Sequence, residues 1–108
     1  MITTHVLDTA AGNPASGVSV VLAVQKGSEW VSVASGHTDS QGRLTTLTDG
    51  LEIAPGVYRL TFDTGSYHRG ARSFFPEVQV IFTLREAGEH VHVPLLISPF
   101  GYTTYRGT

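Results

Sequence analysis

Four side chains in this sequence could move a proton or steady a charge near neutral pH: His5, Arg43, His90 and His92. An imidazole titrates close to working pH, so it can give or take a proton. Arginine is a permanently charged, forked donor, suited to an oxygen on which negative charge develops. In an extended segment, His90-Val91-His92 would point two imidazoles the same way. That is half a metal site; zinc wants three or four ligands, and no acidic cluster nearby supplies the rest. Plainer roles stand beside these: an edge histidine at 5 and a solvated turn arginine at 43. The last feature is the ending, Phe100-Gly-Tyr-Thr-Thr-Tyr-Arg-Gly-Thr108. Tyr and Thr favour strands, so the ending reads as a structural strand that carries an Arg and a carboxylate to a definite place.

The elements that must position these groups follow from alternation and turn signals. Turns are expected at Gly12-Asn13-Pro14, Gly27-Ser28, 39–42, Asp49-Gly50, Pro55-Gly56, Gly65-Ser66, Ala87-Gly88 and Ser98-Pro99. Between them the sequence predicts strands over 2–7, 18–24, 30–34, 43–47, 57–62, 78–84, 89–97 and 102–105. This spacing predicts a sandwich or barrel. Only 64–72 could hold a short helix, and Gly65 and Gly70 limit it. Residues two apart share a strand face. Val91, Val93, Leu95 and Ile97 form an aliphatic, core-facing row. His90, His92, Pro94 and Leu96 then face outward, a mixed surface that suggests a site or an interface. On the first strand His5 shares its face with Thr3 and Leu7. The last two strands, joined through Ser-Pro-Phe-Gly, read as a hairpin.

The expectation is one domain, residues 1–108. Seven basic and nine acidic residues give a net charge of −2 with no basic patch, so nucleic acid is not expected as a partner. There is no cysteine, so neither disulfide nor thiolate chemistry is available. No 18-residue apolar run is present, so no membrane span is expected. With no secretory signal in view either, the cytoplasm is the expected location.

Several stretches together resemble the transthyretin-like family, and within it the 5-hydroxyisourate hydrolase branch. They are His5-Val-Leu-Asp8 with Gly12, Pro14 and Ala15; Thr38-Asp39 with Gly42-Arg43; Phe75-Pro-Glu-Val78; and the run from His92 to Thr108. The ending Tyr105-Arg106-Gly107-Thr108 is similar to the branch's Tyr-Arg-Gly-Ser signature, with Thr where Ser is usual. The resemblance implies an all-β, transthyretin-like sandwich of two four-stranded antiparallel sheets with one short helix. It implies a homotetramer, a dimer of dimers, with active sites in the central channel. The reaction implied is hydrolytic ring opening of 5-hydroxyisourate to 2-oxo-4-hydroxy-4-carboxy-5-ureidoimidazoline, in urate (purine) degradation. Neither a metal nor an organic cofactor is expected.

The same resemblance implies that His5, Arg43 and His92 are catalytic, and that Tyr105, Arg106, Gly107 and Thr108 close the site around substrate. Gly107 would let the backbone approach a ligand, and Arg106 would face either substrate or the terminal carboxylate. His90 reads as a rim residue that tunes His92. Ser98 and Thr108 lack an elbow motif and are poor nucleophiles, so water is the expected nucleophile. The alternative is a binding protein for a small aromatic ligand, with Leu7, Pro94 and Leu96 lining its channel.

Overall fold

Alternation of apolar and polar side chains folds this chain into two facing sheets, here in a computed structural model that describes residues 1–108. The elements are β1 (Ile2–Asp8), β2 (Asn13–Pro14), β3 (Ser19–Lys26), β4 (Glu29–His37), β5 (Arg43–Leu44), β6 (Gly56–Phe62), α1 (Thr64–His68), β7 (Val78–Leu84), β8 (Val91–Ser98) and β9 (Gly101–Thr104). One sheet runs β4-β3-β6-β7, all antiparallel. The other runs β2-β1-β8-β9, with β5 also paired to β1. β8 accompanies β1 from Ile2 to Asp8, so the short β5 and β2 share its other edge. Together these two complete a fourth strand position.

Two expectations need correction. The second sheet has five strands rather than four, because the chain at Asn13–Pro14, read as a turn, pairs with Leu7 and Asp8. Nor is it wholly antiparallel, since β1 and β8 run parallel, Thr3 beside His92 and His5 beside Pro94. A parallel pair needs a long crossover. Here the chain supplies one by building the whole other sheet before it returns. The predicted strand over 43–47 shrinks to Arg43–Leu44, and the helix ends at His68. That helix is capped by the Asp63 carboxylate, which accepts from the Ser66 N–H, and it stops where Arg69 turns left-handed at φ 51°.

The core lies between the sheets. Val91, Val93, Leu95 and Ile97 of β8 all point into it, as their alternation predicts, against Leu22, Leu60 and Phe62 of the facing sheet. Burying each such side chain stabilises by roughly 1.5–3 kcal/mol. This row fixes the parity of β8 and so obliges His92 and Pro94 to face outward, since a one-residue slip would exchange the faces.

Candidate active site

Register assembles the site on the outer face of the β1–β8 sheet. His5 is directly opposite Arg43 on one side and Pro94 on the other. Thr3, one face-step back along β1, is opposite His92. Thus three catalytic candidates separated by almost the whole sequence meet on one patch. His5 and His92 are half-buried and Arg43 is exposed.

The turn before β5 is built to present Arg43. One Asp39 carboxylate oxygen accepts from the N–H groups of Gln41 (2.8 Å) and Arg43 (3.0 Å). These donors hold the Asp39 carboxyl below the usual carboxylate range, Arg43 N–H first. Gly42 takes a positive φ of 75° and lies so close to β1 that any Cβ would strike the Val6 carbonyl. Its own carbonyl accepts from the Val6 N–H at 2.7 Å. The turn also orients His5, whose Nε2 lies 2.9 Å from the Gln41 carbonyl oxygen. A carbonyl only accepts, so Nε2 carries the proton, and Nδ1 is the ring nitrogen free for chemistry.

His92 is held differently. Its Nδ1 lies 2.7 Å from the Thr3 hydroxyl, which also lies 2.9 Å from Nε2 of His90. Burial pushes the His92 imidazole below its ordinary value, and the nearby Arg43, His90 and His5 push it further down. Both effects favour the neutral ring, the form a base needs. Thr3, itself buried, received no role from sequence. Its place on the face of His5 was readable, but its partner across the sheet was not.

The tail continues the β8–β9 register. Leu95 opposes Thr104 and, three steps on, His92 opposes Gly107, whose N–H donates to the His92 carbonyl at 2.8 Å. The ladder lapses in between, where Pro94 has no N–H to offer. Gly107 proves to be required by His92 itself. A Cβ there would stand 2.6 Å from His92 Cδ2 and 3.2 Å from Pro94 Cγ. Pro94, a channel-lining residue in the ligand-binding alternative, is buried in the chain. Arg106 pairs with Glu89, Nη2 to Oε2 at 3.0 Å, rather than with the terminal carboxylate. It lines an apolar cleft of about 200 Å³ between the sheets, with Val80, Phe82, Val91 and Val93. Tyr105 and Thr108 are exposed.

No three His, Cys, Asp or Glu side chains come together in a way that could hold a metal ion. No helix is long and apolar enough to cross a membrane.

A two-sheet sandwich carrying two imidazoles and a guanidinium on one outer face defines a class, and comparison with known proteins identifies it. The HIUase/Transthyretin family model matches residues 2–107, and the chain belongs to that family. It is 44% identical to a 5-hydroxyisourate hydrolase of Salmonella dublin over 110 residues, which is all of this chain and 81% of that protein. Among solved structures, a 5-hydroxyisourate hydrolase of Klebsiella pneumoniae matches with TM-score 0.84 and 38% identity, covering 99% of this chain and 98% of that one. Sea bream transthyretin in complex with thyroxine matches with TM-score 0.91 and 32% identity, covering 99% and 94%. The sandwich is thus shared by an enzyme and a thyroxine-binding protein, and fold does not choose between them.

Proposed function

We propose that this protein hydrolyses 5-hydroxyisourate, opening its six-membered ring to give 2-oxo-4-hydroxy-4-carboxy-5-ureidoimidazoline in urate degradation. The observation that carries the reading is the registered meeting of His5, Arg43 and His92 on one face. Water is the nucleophile. Neutral His92 takes its proton at Nε2 as oxygen attacks the cyclic amide carbon. The Arg43 fork steadies the oxygen that becomes negative, where preorganised donors act most strongly. His5, whose Nε2 proton is held by the Gln41 carbonyl, takes up a proton from solvent at Nδ1 and passes it to the ring nitrogen as the C–N bond breaks. Tyr105 to Thr108 close the site, with Gly107 seated over the His92 ring. No cofactor takes part, and a single domain suffices.

The active unit in this reading is a homotetramer, a dimer of dimers. Leu7 and Leu96 flank the site on an only half-buried face, and β7 and β9 are sheet edges able to pair with another copy. Light scattering near four times 11.6 kDa is expected; the monomer mass would refute it. Location in the cytoplasm belongs to the same reading, and cell fractionation tests it.

The activity is tested by making 5-hydroxyisourate with a urate oxidase, adding this protein and following its loss against the spontaneous rate. Acceleration is expected. The second reading, a binder of a small aromatic ligand, is favoured by the match to the thyroxine complex. Thyroxine binding without acceleration would establish that reading instead.

A further inference from the structure

One hydroxyl between two imidazoles remains without a role in this mechanism. Thr3 is buried on the site face of β1, with Oγ1 2.9 Å from His90 Nε2 and 2.7 Å from His92 Nδ1. A hydroxyl has one proton to donate and lone pairs to accept with. Were both facing nitrogens bare, one would meet a lone pair. At least one of them must therefore carry a proton, so the two rings cannot choose their tautomers independently. For His92 to act as a base at Nε2, its own proton must sit on Nδ1 and point at Thr3. The Thr3 proton is then free to point at His90.

We propose that Thr3 is a positioning residue that couples His92 to His90 as a proton relay. The proposal rests on the hydrolase reading above. As water attacks, its proton goes to His92 Nε2. The Nδ1 proton of His92 passes to Thr3 Oγ1, and the Thr3 proton passes to His90 Nε2. Thr3 is unchanged, His92 is neutral with its proton on Nε2, and the positive charge rests on His90. When product leaves, the reverse shift restores the Nδ1 proton of His92, and the Nε2 proton is lost to solvent. The placement makes electrostatic sense. His92 is partly desolvated and lies near Arg43 of β5 and His5 of β1, so an imidazolium there is disfavoured. His90 is exposed. On the tail side Arg106 is already matched by Glu89.

The test compares the wild-type protein with Thr3→Val, Thr3→Ser, His90→Gln and the Thr3→Val/His90→Gln double variant. Valine nearly keeps the shape of threonine and removes the hydroxyl; serine keeps the hydroxyl. Thr3→Val should lower kcat about tenfold with little change in KM, the scale of one hydrogen bond to a charged group. Its acid limb in kcat against pH should move to lower pH, because the imidazolium loses its acceptor. Thr3→Ser should restore both. His90→Gln should lower kcat as Thr3→Val does without moving the acid limb to lower pH, since Thr3 still accepts from His92 and a like charge is gone. The kcat of the double variant should be no worse than that of the poorer single, since both cut one path. Wild-type kcat and pH profile in Thr3→Val, or additive losses in the double variant, would overturn the relay. If the wild-type protein fails to accelerate loss of 5-hydroxyisourate, the hydrolase reading falls instead. The coupling is then still tested by ¹⁵N NMR of the His92 ring, whose tautomer signature must change in Thr3→Val.

Discussion

Each sheet turns one arginine out from a strand, Arg43 from β5 and Arg59 from β6. Arg59 lies between Ala23 and Ile81 in register and stacks on Trp30, 4.7 Å from the ring centre. Its buried Nε has no hydrogen-bond partner. Ile81 beside it is exposed. Arg43 lies opposite His5, on a turn that Asp39 and Gly42 lock to β1. Both faces carry one guanidinium and apolar side chains that are not fully buried, Ile81 on one and Leu7 and Leu96 on the other. They differ in what register puts beside the charge, apolar side chains in one case and an imidazole of fixed tautomer in the other. A charged residue becomes chemically useful through its neighbours across the sheet, and those come from chain segments far away in sequence.

The matched substitutions should break this comparison most sharply. Arg43→Glu places a carboxylate against a developing oxyanion, so turnover should fall beyond the ~100- to 1000-fold typical of one lost preorganised donor. Arg43→Lys keeps charge without the fork and should still impair turnover, though less. Arg59→Ala should leave kcat and KM unchanged. Steady-state kinetics at equal oligomer content checks all three. Full activity in Arg43→Glu would remove this residue from the mechanism.

The tail provides a second contrast, between a backbone tie and a surface ion pair. Gly107→Ala forces a methyl against the His92 ring, an overpacking that costs about 1–3 kcal/mol if the structure resists. The ring or the tail must move, so a large loss of turnover is expected, approaching that of deleting 105–108. Arg106→Ala removes an ion pair whose arginine side chain is 62% exposed. Such pairs contribute ~0–1 kcal/mol, so thermal stability should barely change. Thr108→Ser keeps hydroxyl and carboxylate and should be near neutral. A 105–108 deletion with full activity would remove the tail from the site.

These contrasts also mark what the sequence made legible. The aliphatic row from Val91 to Ile97 declares its buried face locally, and that row alone places His92 outward. His5 and Thr3 were likewise assigned to one face by parity. Pairing between segments almost ninety residues apart leaves no local trace, so the parallel β1–β8 register and the Thr3–His92 contact stayed hidden. Asn13–Pro14 looked like a turn because its composition is that of a turn, and its pairing depends on where β1 ends. Gly107 signals a close backbone approach in the sequence, but that it makes room for the His92 ring shows only in the fold.

Asp39 gives a smaller effect that sharpens the role of the turn. Asp39→Ala leaves the Gln41 and Arg43 N–H groups without their acceptor and loosens the carbonyl that orients His5. Turnover should fall, by less than in Arg43→Glu, because Arg43 keeps its charge and fork. KM should move less than kcat, as for a group that steadies the transition state through another. Unchanged kcat would show that Gly42 and β5 hold the arginine unaided.

The smallest effect concerns acid stability and rests on one titratable group of the site-bearing sheet, His92. His92 folds with its imidazole below the ordinary value of 6.5, burial being the largest cause. As pH falls through that value, the unfolded chain takes up a proton at this position before the folded chain does. Stability rises with pH wherever the unfolded state binds more protons. The contribution of His92 is therefore absent at pH 7 and appears as a cost below 6.5. It stops growing once the pH is below the depressed folded value. His92→Gln should remove the term. Denaturant unfolding at pH 7.5, 6.5 and 5.5 should show a shallower loss of stability for His92→Gln than for wild type, with the two curves parallel above 6.5. A steeper loss in the variant would mean that the folded protein favours the imidazolium. His92 would then be poised as an acid, and the general base of the reaction would have to be His5.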